Sequence, residues 1–371
     1  MAGPFTTDAI VVGAGAVGLA CARALARRGD EVIVLEARDA FGQGISSRNS
    51  EVLHAGIYYP TGSLKARLCV AGNRLIREYC ALHGIALDPC GKLVVATASG
   101  EEPALAAIAA QAAANAVPAT RMLTGAEARG LEPRLVASAA LHCPTSAVFD
   151  SHGYMTALLG EIEDHGGRLA VATPFLSAEV TRQGFRLRCG GAEPVTIACQ
   201  RLVLAPGLGA QEAARAIDGF PPALIPARHL AKGSYFALNA PAPFSRLVYP
   251  LPVPGSLGTH YRRDLGGQPL FGPDLEWIDH EDYTPSASHR DRFAAAIRRY
   301  WPALDPQALT PAYAGIRPKI HGPGEPQPDF DVCLAERHGL PGLAALFGIE
   351  SPGLTASLAL GDHVARQLAE G

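Results

Sequence analysis

The stretch DAIVVGAGAVGLACARALARRGDEVIVLE, residues 8–36, decides how the rest of this chain is read. It opens with a β-branched run at 8–12, the pattern of a strand buried on both faces of a parallel sheet. Gly13-Ala14-Gly15-Ala16-Val17-Gly18 follows and leads into a helix through 19–28, with Gly29 placed to end it as a C-cap. Residues 32–36 supply the next strand and complete a β-α-β unit.

The glycines have separate tasks. Gly13 permits the tight turn, Gly15 lets backbone approach a pyrophosphate, and Gly18 lets the helix pack closely on the strand. Free N–H groups and the dipole at the helix N-terminus favour the phosphate charge. Glu36 ends the second strand, eighteen residues after Gly18, where its carboxylate can accept from ribose hydroxyls and would repel a 2′-phosphate. The motif therefore predicts a dinucleotide cofactor without separating FAD from NAD. The apolar run 9–26 could pass for a signal peptide, but Asp8 precedes it, a basic n-region does not, and the ordered glycines interrupt it. Strand and helix is the better reading.

Beyond this unit, 371 residues exceed the usual size of one domain and predict two. A 48% hydrophobic and 18% charged composition is that of a globular protein with a sizeable core. The net charge of −3 argues against nucleic acid or an anionic membrane as the main partner. Eight cysteines, at 21, 69, 80, 90, 143, 189, 199 and 333, include no C-x-x-C pair. They read as reduced core residues in a cytoplasmic protein, with no metal site. No apolar run reaches the roughly 20 residues that cross a bilayer, which excludes a transmembrane segment and leaves only peripheral membrane contact open.

Helical spacing marks 63–83, 104–117, 154–165, 289–300 and 354–370, and Thr124 with Glu127 forms a capping-box pattern. Strands are expected at 92–97, 169–180, 185–189, 201–205, 233–238, 246–249 and 343–347. Prolines crowd 221–328. The ends of the chain read as one α/β domain and the middle as a mixed, β-rich one. The resulting expectation is an α/β fold, α+β overall: a Rossmann-type FAD/NAD(P)-binding domain with a second substrate domain.

SSRNSEVLHAGIYYPTGSLKARLCVAGNRLIREYC (46–80) and CGKLVVAT (90–97) carry a family resemblance. It resumes at KGSYFAL (232–238), LVYPLPVP (247–254), FGPDLEW (271–277), YAGIRPKI (313–320) and GIESPGLTASLAL (348–360). These segments resemble the L-2-hydroxyglutarate dehydrogenase/oxidase branch of the D-amino-acid-oxidase-like flavoproteins. The resemblance implies FAD as cofactor. It places the cofactor domain at 1–88, 146–218 and 326–371, and the substrate domain at 89–145 and 219–325.

By this resemblance Ser46, Ser47, Arg48, Asn49 and Ser50 contact the flavin and its phosphates, as polar groups and an arginine suit an anionic ligand. Glu51 replaces a usually small residue, and either alters the substrate charge preference or points to solvent. Ala205 and Gly207 fall in a strand and glycine turn near the FAD, with Pro206 where a smaller residue is usual. Gly348, Ser351, Gly353, Leu354 and Thr355 form the loop and helix start expected to close over the flavin, whose reduced charge the helix N–H groups favour. Ala37, Phe175 and Arg317 complete the expected cofactor set.

His54 is implied to face the isoalloxazine, taking a hydroxyl proton while hydride passes to flavin N5; the alternative is a structural histidine. His260 is the other candidate base. Arg317 resembles the arginine that grips a substrate carboxylate, for which a planar fork is suited, and Tyr249 is expected to help orient it. A second carboxylate needs another cation, for which Lys232, Arg262 and Arg263 are available. The leading expectation is oxidation of an L-2-hydroxy acid, a dicarboxylate such as L-2-hydroxyglutarate, to the 2-oxo acid. The electrons then pass to oxygen, a quinone or another carrier. An amine or amino-acid oxidase of the glycine-oxidase type is the alternative within enzymes, and a flavin-binding protein without turnover is the alternative outside them.

Overall fold

The computed structural model describes residues 5–252 and 258–370; Val253 and Pro254 of the 247–254 motif lie outside them. The chain divides into two compact units. The first comprises Met1–Ser47, Ser151–His229 and Pro318–Gly371, and the second Arg48–Asp150 and Leu230–Arg317.

The first unit is built on an eight-stranded sheet. Phe5–Val12 pairs in parallel with Val32–Leu35 on one side and Val195–Leu204 on the other. Arg168–Ala170 and Leu343–Phe347 extend the parallel core at its two ends. Ala9, Ile10, Val11 and Val12 are all buried, which explains why the first strand is apolar without alternation. Ile10 and Val12 join Leu35, Leu202 and Leu204 in one core cluster. The other face is covered by helices: Ala16–Ala26 packs against Gly353–Glu370 and Ser151–Asp164. Arg27 caps the first helix and Gly29, at φ 97°, turns the chain two residues later. The strand expected at 169–180 is two strands, Arg168–Ala170 and Phe175–Thr181, and the one expected at 201–205 begins at Val195.

The second unit contains a nine-stranded sheet whose two faces differ in chemistry. Phe236, Val248, Tyr261 and Phe271 point to one face and bury an aromatic cluster against Phe293 and Ile297 of the helix Arg290–Arg298. On the opposite face Val94, Ala96, Leu247 and Tyr249 pack with Val52, Ala55 and Ile57 and with Leu105 of the helix Glu102–Ala114. Strand alternation assigns each side chain to its face. The capping box at Thr124 and Glu127 is present, and Ser63 caps the helix Leu64–His83 through the Ala66 N–H.

The contact units divide the chain at other positions than the expected domains, moving 48–88 and 146–150 to the second unit and 219–229 to the first. Residues 48–88 pack with the second unit, because Val52–Leu53 and Leu87–Asp88 both pair with Ala147–Phe149. At the other limit, 318–325 belongs to the first unit.

There Lys319 donates to Glu350 at 2.8 Å, and Gln327 donates to the same oxygen at 2.9 Å. The Lys319 and Glu350 side chains are only 6% and 4% exposed, so each neutralises a charge that water cannot reach. Removing one partner strands the other, which costs about 3–5 kcal/mol. Glu350→Ala is therefore expected to lower the thermal unfolding midpoint of the holoprotein by several degrees. Lys319→Met combined with Glu350→Leu should recover most of that loss. An unchanged midpoint in the single variant would show that the pair holds nothing.

Candidate active site

The two sets of candidate residues are each assembled within a unit. In the first unit Gly13 takes φ 100°, and the first helix starts at an N-cap, Gly15, with no side-chain cap bond and no acid in its first turn. A Cβ on Gly18 would stand 1.9 Å from the Gly13 carbonyl oxygen, so the turn closes only with glycine there. Gly13, Gly15 and Val17 are half-buried along the exposed side of the turn, and Ala16 is buried. Glu36 accepts from the N–H groups of Ala14 and Arg38, both at 2.9 Å. Its carboxylate thus lies at the turn, while Ala37 is exposed.

Other predicted residues converge there. Ser46 Oγ accepts from the Ala16 N–H at 3.0 Å. Ala205 borders Gly13, and Gly207 borders Ile45, close enough that a Cβ on either glycine would meet its neighbour at 2.6 and 3.0 Å. Ser47 is exposed and donates to the Gly44 carbonyl. Gly348, at φ 65°, abuts Ile320, and Ser351 leads into the helix whose first residues are Gly353, Leu354 and Thr355. Phe175 packs against the sheet core at the start of an edge strand, two residues after Thr173, which donates to the Glu36 carbonyl. A helix start open to an anion, glycines where backbone must be approached, and an acid at the second strand fit an anionic dinucleotide.

In the second unit His54 follows the strand Val52–Leu53, and its carbonyl accepts from buried Asn73 at 2.9 Å, which also bonds the Thr145 carbonyl. The ring is half-buried and meets Lys92, whose Nζ lies 3.4 Å from His54 Nδ1. Lys92 is 1% exposed and sits over the Tyr249 ring at 4.1 Å from its centroid. Tyr249 in turn stacks on His260 at 3.5 Å and 7°. Arg317, half-buried, lies near the end of the same sheet's strand Leu309–Lys319. The structure therefore brings His54, Tyr249 and His260 together.

The segment after residue 47 is held against the Arg317 strand. A Cβ on Gly315 would lie 2.1 Å from the Arg48 carbonyl oxygen, so the two backbones touch only at a glycine. Tyr313 donates to the Asn49 carbonyl at 2.7 Å, and Asn49 Oδ1 accepts from the Glu51 N–H at 2.7 Å. The Arg48 guanidinium lies over the Tyr283 ring at 4.3 Å. Ser50 is half-buried and hydrogen-bonds Tyr235, which stacks on Tyr313 at 4.4 Å. Glu51 adopts φ 51° and directs its carboxylate to Arg262 at 3.8 Å, answering the question of where it points.

Electrostatics follow from these neighbours. Burial, and then the positive charges of Lys92, His260 and Arg317, hold His54 well below the ordinary 6.5, so the ring is neutral at pH 7. Burial lowers Lys92 to about 8. Burial raises the Tyr249 phenol, which stays protonated. Lys92, Tyr235 and Tyr313 lie inside the quoted segments, but the sequence reading gave them no role. The one available hint was a lysine, among only four, at the start of the apolar strand Lys92–Ala96.

The chain matches the FAD-dependent oxidoreductase family DAO over residues 8–367. It belongs to that family. It is 40% identical to L-2-hydroxyglutarate dehydrogenase, mitochondrial, of Arabidopsis thaliana, covering 97% of this chain and 83% of that protein. L-2-hydroxyglutarate dehydrogenase of Escherichia coli K12 is 26% identical over 96% of this chain and 92% of its own. Among solved structures, dithionite-reduced L-α-glycerophosphate oxidase of Mycoplasma pneumoniae with FAD bound superposes with a TM-score of 0.88. It covers 98% of this chain and 95% of its own at 22% identity. Glycine oxidase of Geobacillus kaustophilus gives 0.82, over 99% and 95%, at 21% identity. These two likenesses bear on the fold alone. The cofactor of this FAD-dependent oxidoreductase is FAD. Among the described residues no helix is long and apolar enough to cross a membrane, and no group of three or more acidic, histidine or cysteine residues could hold a metal.

The charge on Lys92 disfavours the imidazolium of His54, so its removal must raise the pKa. Histidine-selective NMR of the holoprotein should find a His54 midpoint well below 6.5, moving upward in Lys92→Met. A midpoint that stays in place would show that Lys92 does not set the protonation of His54.

Proposed function

We propose that the protein oxidises an L-2-hydroxy acid, L-2-hydroxyglutarate or a similar dicarboxylate, to the 2-oxo acid. The observation that carries the reading is His54: a neutral, half-exposed imidazole surrounded by cations, with a pinned backbone. Oxidising an alcohol requires a base for the hydroxyl proton, whereas an uncharged amine needs none. The relationship to the Arabidopsis enzyme, named for L-2-hydroxyglutarate and 40% identical, supports the substrate class.

When bound, FAD supplies the acceptor for the electron pair of the substrate C2–H bond. In the first unit Gly13, Gly15, Ala16, Val17 and Gly18 would hold its pyrophosphate, and Glu36 with Ala37 its adenosine ribose. Ser46, Ser47, Phe175, Ala205, Gly207, Gly348, Ser351, Gly353, Leu354 and Thr355 are the unit's other proposed cofactor residues. Those of the second unit are Arg48, Asn49, Ser50 and Arg317. The first unit accordingly serves as the cofactor domain and the second as the substrate domain.

Arg317 grips the C1 carboxylate with its planar fork. His54 takes the hydroxyl proton, and its low basicity keeps it free to do so at neutral pH. Tyr249, stacked on His260, orients the carboxylate; His260 is the alternative base. Eight free cysteines support a reducing compartment, and we place the protein in the cytoplasm.

Steady-state turnover of L-2-hydroxyglutarate should exceed that of glycine, sarcosine and D-alanine, and absence of hydroxy-acid turnover would sink the proposal. Arg317→Ala is expected to raise KM about 100-fold with flavin retained, because charge-assisted hydrogen bonds to the carboxylate are lost. An unchanged KM would remove Arg317 from the carboxylate site. His54→Gln should instead lower kcat, by roughly 10²–10⁴-fold. A loss confined to KM would assign it to binding.

A further inference from the structure

Of the three cations available for a second carboxylate, two are committed elsewhere. Lys232 donates to Asp282 at 2.7 Å and lies 3.4 Å from Glu276. Arg263 pairs with Asp88 at 3.1 Å, with more than a third of its side chain exposed. Arg262 differs from both. Its side chain is 6% exposed, yet its Nε and Nη1 have no hydrogen-bond partner. Nη2 donates to the Tyr313 hydroxyl at 2.8 Å, a neutral partner. The Glu51 carboxylate is 3.8 Å from Nη1, close enough to balance charge and too far to accept a hydrogen bond. Buried donors without acceptors are costly and uncommon, and two on one guanidinium call for a ligand.

The sheet aims this group at the candidate site. Along Tyr261–Arg263, Tyr261 turns into the aromatic core, so Arg262 and His260 share the opposite face. His260 stacks on Tyr249 there. Tyr313, the hydrogen-bond partner of Arg262, lies four residues before Arg317 on one strand, and alternation puts both on the same face. The stacked Tyr235–Tyr313 pair connects the elements. Burial raises the pKa of Tyr235 and Tyr249, and both guanidinium groups oppose that rise, as cations near the same phenols must.

We propose that Arg262 receives the distal carboxylate of the substrate and makes the site selective for 2-hydroxydicarboxylic acids over monocarboxylic ones. This rests on the reading of the site as a 2-hydroxy-acid oxidising centre. Arg317 then holds one end of the molecule and Arg262 the other. Glu51 keeps the guanidinium electrically balanced while leaving its donors to the ligand.

The test compares the holoprotein with its Arg262→Leu and Arg262→Lys variants, each checked for flavin content. For Arg262→Leu, kcat/KM should fall about 100-fold with L-2-hydroxyglutarate and change less than about threefold with L-2-hydroxyvalerate. Arg262→Lys, which keeps a charge without the fork, should lose less on the dicarboxylate. Glutarate and valerate, followed by the shift of the flavin absorption bands, read the same discrimination without turnover. Equal losses on both acids, or none on the dicarboxylate, would overturn the assignment. If the wild type oxidises neither hydroxy acid, the functional reading fails while the glutarate titration still decides Arg262. If Arg262→Leu fails to retain flavin, the lysine variant carries the comparison: selective loss supports the proposal and uniform loss ends it.

Discussion

Lys92 is a buried amine that no carboxylate neutralises among the described residues, and the chemistry of the second unit follows from that choice. Burying an unpaired ammonium is expensive, and proteins answer by shifting its pKa or surrounding it with compensating groups. Both responses are visible: burial lowers Lys92 to about 8, and the Tyr249 ring faces the charge at 4.1 Å. The cost is turned outward onto His54, whose protonated form the lysine opposes. A histidine in that setting cannot drift into the imidazolium state that would make it useless as a base. Stability lost at one buried residue thus fixes the protonation state of its neighbour.

How much of this was legible beforehand depends on the range of the interaction. The glycine turn is local: Gly13, Gly15, Gly18 and Glu36 are related through one strand, one turn and one helix, so spacing alone placed them. The motif segments likewise located His54 and Arg317. The same segments contain Lys92, and Arg262 stood among the candidate cations, but neither could be given its role, because that is a matter of what faces it. Lys92 acquires its role from the parallel pairing of Lys92–Ala96 with Leu247–Pro250, which sets Tyr249 beside it. The three cations offered by sequence were equivalent until the structure gave Lys232 an aspartate, Arg263 another, and Arg262 neither in hydrogen-bond contact.

The contact units part from the expected domains for a related reason. The resemblance grouped 46–88 with the β-α-β unit. Instead the segment is captured from residue 48 onward by contacts distant in sequence. Gly315 admits the Arg48 backbone, Tyr313 bonds Asn49, and Asn73 ties the His54 carbonyl to that of Thr145. Each contact needs a partner more than fifteen residues away, and those to Gly315, Tyr313 and Thr145 reach well outside the segment.

Register is what converts these contacts into chemistry. Side chains along a strand alternate, so a slip by one residue would exchange the fates of Arg262 and Arg263. Tyr261 guards against it: its ring is fully buried among Phe244, Phe271 and Tyr300, and its hydroxyl donates to the Phe244 carbonyl at 2.8 Å. A slipped strand would have to expose that ring and drive a guanidinium into the aromatic cluster in its place. The apolar face of the sheet therefore decides which arginine the polar face receives. The selectivity proposed for the site would thus be held in place by residues that never touch it.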